Sequence, residues 1–305
     1  MFEPLIQVDP VELDLTPERI DDRLAAGWFP WGQRWMTCRA WPMDEGPADT
    51  VWVRVALDRR TVPERWRRML RAGCTVSWHD GPRFDHEHQD LYARFRATRH
   101  PTWVEESAAL LVTNERSRLL DRTREMAIRD AAGRLIAYRW FLEGRTAIAG
   151  MSAIYDTARP GLGSVARFLA DDWAFRAGHA WSYPGYVLPG AKEHWFYKIR
   201  PGRTSWLDPE TGRWRSWDGD EPIPDTLVLA EIRRRLALRG EVVHYPGWAF
   251  ACIEPHRGGF CEPYYVVASA NGPEMILVVW DHATQQYGEL PVTVRSPEET
   301  PAASP

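Results

Sequence analysis

Lysine is nearly missing from this chain: Lys192 and Lys198 are the only two, and the other 36 of its 38 basic residues are arginine. Codon usage alone produces such a bias. Both lysines nevertheless fall in one window, AKEHWFYK, and a lysine retained among arginines points to a need for a compact ammonium. Cysteine is sparse as well. Cys38, Cys74, Cys252 and Cys261 form no CxxC pair and have no histidine partner at finger spacing, which argues for reduced thiols and against structural zinc. No apolar run approaches the roughly 18 residues of a membrane span, and the opening MFEPLIQVDPVELD is acidic without an apolar signal core. A cytoplasmic location without a membrane partner is the expectation. Charge of one sign is absent too: 38 Lys+Arg against 42 Asp+Glu give a net −4, which excludes a polycation coating nucleic acid. DNA is not an expected partner.

What is present is unevenly spread. Val51 to Arg99 holds eleven arginines against six acids, whereas Ser205 to Pro305 holds eight against fifteen, so the near-neutral total hides a basic front and an acidic rear. Four regions follow. Residues 1–100 read as a β-rich and basic helical module, 101–215 as the core, 216–295 as an acidic extension of helix plus β-hairpin, and 296–305 as a disordered tail.

Local patterns give the elements. The first fifty residues, rich in Pro and Trp, read as short strands and turns. VWVRVAL alternates like a strand; TVPERWRRMLRAG reads as a helix with Thr61 as cap, Trp66, Met69 and Leu70 on one face, and Gly73 as stop. FDHEHQDLYARFRATRH is a second helix, capped by Asp85, with Leu91, Tyr92 and Phe95 as its apolar stripe. Residues 125–187 read as three strands, a helix from Leu162 to Gly178 and a further strand. That order belongs to an α+β layer: a mixed, mostly antiparallel sheet with one crossover and flanking helices. WLDPETGRWRSWDGDEPIPD reads as a turn-rich boundary, LVLAEIRRRLALRG as an amphipathic helix, and Asn271-Gly272 as a hairpin turn.

Three stretches carry a family resemblance. VRV…VPERWRRML offers Arg54, Arg67 and Arg68; FDHEHQDLYARFRATRH offers Leu91, Tyr92, Arg99 and His100; YPGYVLPGAKEHWFYK offers Tyr183, Gly185, Tyr186, Tyr197 and Lys198. Together, in this order over roughly residues 20–215, they resemble the arginyl/leucyl-tRNA-protein transferase family, which attaches an amino acid to protein N-termini. SAIYD is similar to the family's Phe-Tyr-Asp-Pro segment and carries over Tyr155 and Asp156. Three features depart from the family pattern. Its N-terminal cysteine cluster is absent, Val187 replaces an aromatic, and Trp195-Phe196-Tyr197-Lys198 stands for Met-x-Tyr-Lys.

The resemblance implies a GNAT-like acyl-transfer fold that uses aminoacyl-tRNA as co-substrate, with no further cofactor; because the cysteine cluster is absent, no metal is expected. The acceptor it implies is a protein N-terminus, with a peptide or small-molecule amine as a variant. An acetyl-CoA-dependent N-acetyltransferase and a non-catalytic tRNA- or peptide-binding module are the rivals.

An amine attacking an ester needs a proton acceptor, oxyanion donors and a channel for the tRNA end. Asp156 and Glu193 are candidate proton acceptors, with a turn cap and a solvated carboxylate as their bland alternatives. Tyr197, and likewise Tyr186, would orient the ester or stack on the terminal adenine, against an equally good core reading. Tyr155, Tyr183, Gly185, Tyr186 and Lys198 form the expected substrate-binding set. Arg54, Arg67, Arg68 and Arg71 are the expected basic face for tRNA. Arg159, Gly161 and Gly163 in ARPGLGS make a phosphate-binding turn or simply a helix start that needs small residues. His79, His86, His88 and His100 lack metal-ligand spacing, and no Gly-x-Ser-x-Gly elbow is present.

Overall fold

The computed structural model describes residues 6–10, 14–31, 34–38, 40–43, 46–59, 61–98, 118–188, 196–200, 202–208, 211–217, 266–271, 274–281 and 286–293. In chain order these form β1 (Ile6–Pro10), α1 (Pro17–Ala25), β2 (Phe29–Trp31), β3 (Arg34–Cys38), β4 (Ala40–Met43), β5 (Gly46–Asp49) and β6 (Val51–Ala56). Then come α2 (Glu64–Arg71), β7 (Thr75–Asp80), α3 (His86–Ala97), α4 (Arg118–Asp121), β8 (Thr123–Arg129), β9 (Leu135–Glu143) and β10 (Ala147–Tyr155). The rest are α5 (Leu162–Arg176), β11 (Trp181–Val187), a 3-10 turn (Phe196–Lys198), β12 (Thr204–Asp208), β13 (Arg213–Trp217), β14 (Val266–Asn271), β15 (Glu274–Asp281) and β16 (Gln286–Thr293).

Eight strands make the central sheet in the order β13-β12-β6-β11-β10-β9-β8-β7. Every neighbouring pair is antiparallel except β10 with β11, which the α5 crossover makes parallel. The mixed, mostly antiparallel α+β architecture read from the sequence is thus the one observed. β9, LIAYRWFLE, is buried along nearly its whole length because helices cover both faces of the sheet. On one face Met126, Ile128, Ile136 and Phe141 pack with Trp66 of α2 and Val165 and Leu169 of α5. On the other, Tyr138, Trp140 and Ile154 meet Leu91, Tyr92 and Phe95 of α3, while Ile20 and Leu24 of α1 meet Trp52, Leu142 and Tyr183.

Several local expectations are corrected. A helix, α1, stands among the expected short strands: Thr16 caps it by accepting from the Arg19 N–H, and Pro17 pre-sets its first turn. The N-cap of α2 is Pro63 and not Thr61, and Leu70 turns outward at 48% exposure while Trp66 carries the buried face. The first half of the expected turn-rich boundary is the β12–β13 hairpin at the sheet edge. β6 and β7 come from the first hundred residues and pair with strands of the core, so residue 100 falls within the chain from which one sheet is drawn. β14, ending at Asn271, pairs antiparallel with β15, starting at Glu274, with β16 alongside; Gly272 of the expected turn lies outside the described residues. The amphipathic helix expected after residue 226 and the tail at 296–305 lie outside the described residues.

Candidate functional site

The parallel pair at the middle of the sheet is short. β10 and β11 are in register only at Ala147↔Trp181, Ile148↔Ser182 and Ala149↔Tyr183. Beyond that level β10 stays with β9 through a bulge between Gly150 and Ser152, and β11 stays with β6 after an irregularity between Ser182 and Gly185. Bulges bend and twist a strand locally, and two at the same level part the strands into a cleft. One wall of this cleft is the β10 edge from Gly150 to Tyr155; the other is Pro184 to Val187.

Four of the expected substrate-binding residues meet on the β11 side. The Lys198 Nζ donates to the Tyr186 carbonyl at 2.7 Å and stands 3.3 Å from the Cβ position of Gly185, whose φ of 95° places it in the left-handed region. The Tyr186 hydroxyl donates to the Gly27 carbonyl at 2.8 Å and lies 3.3 Å from the Thr37 Oγ1. Tyr183 is buried at the base of the cleft, stacked on Trp52 with ring centroids 5.6 Å apart. Burial raises its hydroxyl pKa against a hydrogen bond from Arg54. Tyr197 is 60% exposed beside Lys198, whose Nζ lies 6.0 Å from its ring centroid.

A buried ionic group fixes the 3-10 turn that supplies Lys198. Arg167 on α5 donates to the Tyr197 carbonyl, and to the Lys198 carbonyl at 3.1 Å. Asp171, one turn further on, lies 3.7 Å from the Arg167 Nε, receives the Arg200 Nη2 at 3.3 Å, and accepts from the Ser182 hydroxyl at 2.8 Å. Burial, then the neighbouring charges of Arg167 and Arg139, push the Lys198 pKa down to about 7. The lysine expected in the substrate-binding set is thus about nine-tenths buried, and that burial is the main cause of its lowered pKa.

A second group gathers where β10 ends. The Asp156 carboxylate accepts from the Ala158 N–H at 3.1 Å and the Arg159 Nε at 3.3 Å, so it closes the turn, the bland alternative weighed for it. Arg159 also donates to Asp130 at 3.0 Å. Gly161 caps α5 with φ 75°, and a Cβ there would collide with the Arg65 guanidinium; a Cβ on Gly163 would meet the Tyr155 ring at 2.7 Å. Tyr155 itself packs edge-on against Phe95.

The expected four-arginine face divides. Arg67, Arg68 and Arg71 are exposed on α2, with Glu64 3.5 Å from Arg67 and 2.6 Å from Arg71. Arg54 lies apart on β6, its guanidinium held between the rings of Trp181 at 3.9 Å and Trp214 at 4.2 Å. Glu193 lies outside the described residues. Sequence reading missed Arg139, Arg167, Asp171 and Ser182. The available signals were an arginine inside an otherwise apolar strand and an Arg–Asp pair at i, i+4 on the inner face of α5.

No family model and no curated protein matches the chain. Among solved structures it is similar to L-PGS from Bacillus licheniformis, at 14% identity and TM-score 0.36, covering 55% of this chain and 50% of that one. It is similar also to the C-terminal domain (DUF2156) of a lysylphosphatidylglycerol synthetase from Agrobacterium fabrum, described there as putative, at 12% identity and TM-score 0.35, covering 52% of each chain. A GCN5-related N-acetyltransferase from Kribbella flavida gives 18% identity and TM-score 0.27, over 45% of this chain and 53% of that one. The chain spans about half the length of each.

Proposed function

We propose that this chain is an aminoacyltransferase that moves an aminoacyl group from aminoacyl-tRNA to an amino group, forming an amide bond. The observation that carries the reading is the cleft between β10 and β11, with the Tyr183, Gly185, Tyr186 and Lys198 of the family-like signature along one wall. Past Ala149 the β10 edge has no β11 residue in register opposite it, and main-chain N–H groups on such an edge suit both an extended substrate and the oxygen of a tetrahedral intermediate. The aminoacyl ester is already activated, so aligning amine and ester is the main task.

Roles follow from the surroundings. Tyr197, exposed beside the cleft, suits stacking on the terminal adenine. Gly161 and Gly163 at the start of α5, with the Arg65 guanidinium against Gly161, suit a phosphate of the tRNA end, and Arg67, Arg68 and Arg71 continue the positive surface along α2. Asp156 serves the turn, which leaves general-base work to the amine's own equilibrium or to Glu193. The acceptor is a protein or peptide N-terminus, or a small-molecule amine.

Incubating the protein with tRNAs charged with radiolabelled amino acids and a pool of amine acceptors tests the reading. Label passing from tRNA to an acceptor supports it. Turnover that requires only acetyl-CoA overturns the donor, and tRNA retention without any transfer overturns the chemistry.

A further inference from the structure

We infer that the cleft between β10 and β11 holds a binding site for an oxyanion, the carboxylate or phosphate of a ligand, with Arg139 as its principal donor. Arg139 rises from β9 with only 7% of its surface exposed, and its Nε is buried without a hydrogen-bond partner. Its guanidinium lies across Gly150, where a Cβ would stand 2.5 Å from the Nη2 and 3.4 Å from the Cζ. Gly150 is the residue at which β10 leaves β11, so the planar donor edge occupies the point of divergence.

Burying a guanidinium without an acceptor is unfavourable, and an apolar side chain would fill the same space at no such cost. The neighbouring carboxylate does not meet the need. Asp171 and the Tyr197 hydroxyl act on Arg139 only at longer range, and Asp171 is already held by Arg167, Arg200 and Ser182. Lys198 adds a second cationic group from the opposite wall, close enough that Arg139 lowers its pKa. A two-pronged arginine with an ammonium near enough to feel its charge matches a carboxylate or phosphate, which accepts two parallel N–H bonds and shares its remaining charge with the lysine. An anion there would draw a proton onto Lys198 at neutral pH, because it favours the charged ammonium.

This inference deepens the transfer reading by giving the molecule in the cleft an anionic group, but it stands on the buried arginine and the parted strands. Its test uses no tRNA, so it can fail or succeed apart from the transfer assay. Isothermal titration calorimetry would be run on the full chain with inorganic phosphate, adenosine monophosphate and N-acetyl-aspartate, for wild type, Arg139→Met and the surface control Arg176→Met. The expected result is binding of at least one class by wild type and the control, weakened by more than about tenfold in R139M, the loss of a charge-assisted bond. Titration near pH 7.5 in buffers of different ionisation enthalpy is expected to report proton uptake. Phosphate-selective binding assigns the anion to a nucleotide, carboxylate-selective binding to an acceptor. R139M without ligand is expected to melt at or above the wild-type temperature. Should R139M not fold, Arg139→Lys, which keeps the charge and loses the planar edge, is expected to bind more weakly than wild type. Absence of binding to wild type, or equal binding by the folded variant, overturns the proposal.

Discussion

The Nε2 of His88 on α3 stands 3.2 Å from the Oε1 of Glu125 on β8, and both side chains are buried. The other ring nitrogen meets Asp85 at 2.7 Å, while the Trp140 Nε1 and the Arg83 N–H donate to the second oxygen of Glu125 at 3.0 and 2.6 Å. The pair ties α3 to the sheet through a satisfied network.

This link should make stability fall with rising pH. Burial alone would lower the His88 pKa, but Glu125 and Asp85 outweigh it and raise the group above its ordinary 6.5. A group raised on folding stabilises fully below its unfolded pKa and loses that contribution as pH passes through the folded value. Denaturant unfolding from pH 5.5 upward should therefore show a declining term in wild type that His88→Gln lacks; identical slopes would acquit His88.

Lys198 should act in the opposite direction. Its folded pKa of about 7 lies below the ordinary 10.5, so unfolding takes up a proton between these values and stability rises with pH across that window. The chain holds only two lysines, so reductive methylation with a carbon-13 label should give two dimethyl-lysine signals beside the one from the α-amino group. One is expected to titrate near neutrality and to disappear in Lys198→Met. Two signals that both titrate near 10 would refute the depressed value.

The divided arginines predict divided effects. Arg67→Ala and Arg68→Ala should each weaken tRNA binding and reduce the steepness of its salt dependence by roughly 0.7 to 0.9 per lost phosphate contact. Arg54→Met should leave that slope unchanged and cost about 1–2 kcal/mol of stability, because its guanidinium is clamped by two indoles. Filter binding at several salt concentrations, alongside urea unfolding, separates the two classes.

Gly161→Ala should destabilise the protein by about 1–3 kcal/mol, since a side chain there needs a left-handed backbone and meets Arg65. Pairing it with Arg65→Ala removes the collision and not the backbone strain, so recovery is expected to be partial. Full recovery in thermal unfolding would show that the collision alone was at fault.

Much of this architecture was legible because local chemistry specified it. The Asp85 cap, the Leu91–Tyr92–Phe95 stripe and the run of three strands, helix and strand depend on neighbours a few residues apart. The α1 helix was harder to read, since only Ile20 and Leu24 are buried in it and its remaining residues are polar or small. Its Thr16-Pro17 start was nevertheless a usable signal. Arg54 and Arg67 look alike in sequence; two tryptophans, over a hundred residues further along the chain, place the first in a stacked slot.

By itself the sequence determined the order of elements over residues 125–187, the class of sheet and the window holding Lys198, because periodicity, caps and composition act over short stretches of chain. Only the tertiary structure decided that β10 and β11 separate after three residues and that Arg139 lies where they part. It also decided that Lys198 is buried among cations and not solvated. Those features arise from strand register and desolvation between segments distant in sequence, and no local pattern of residues encodes them.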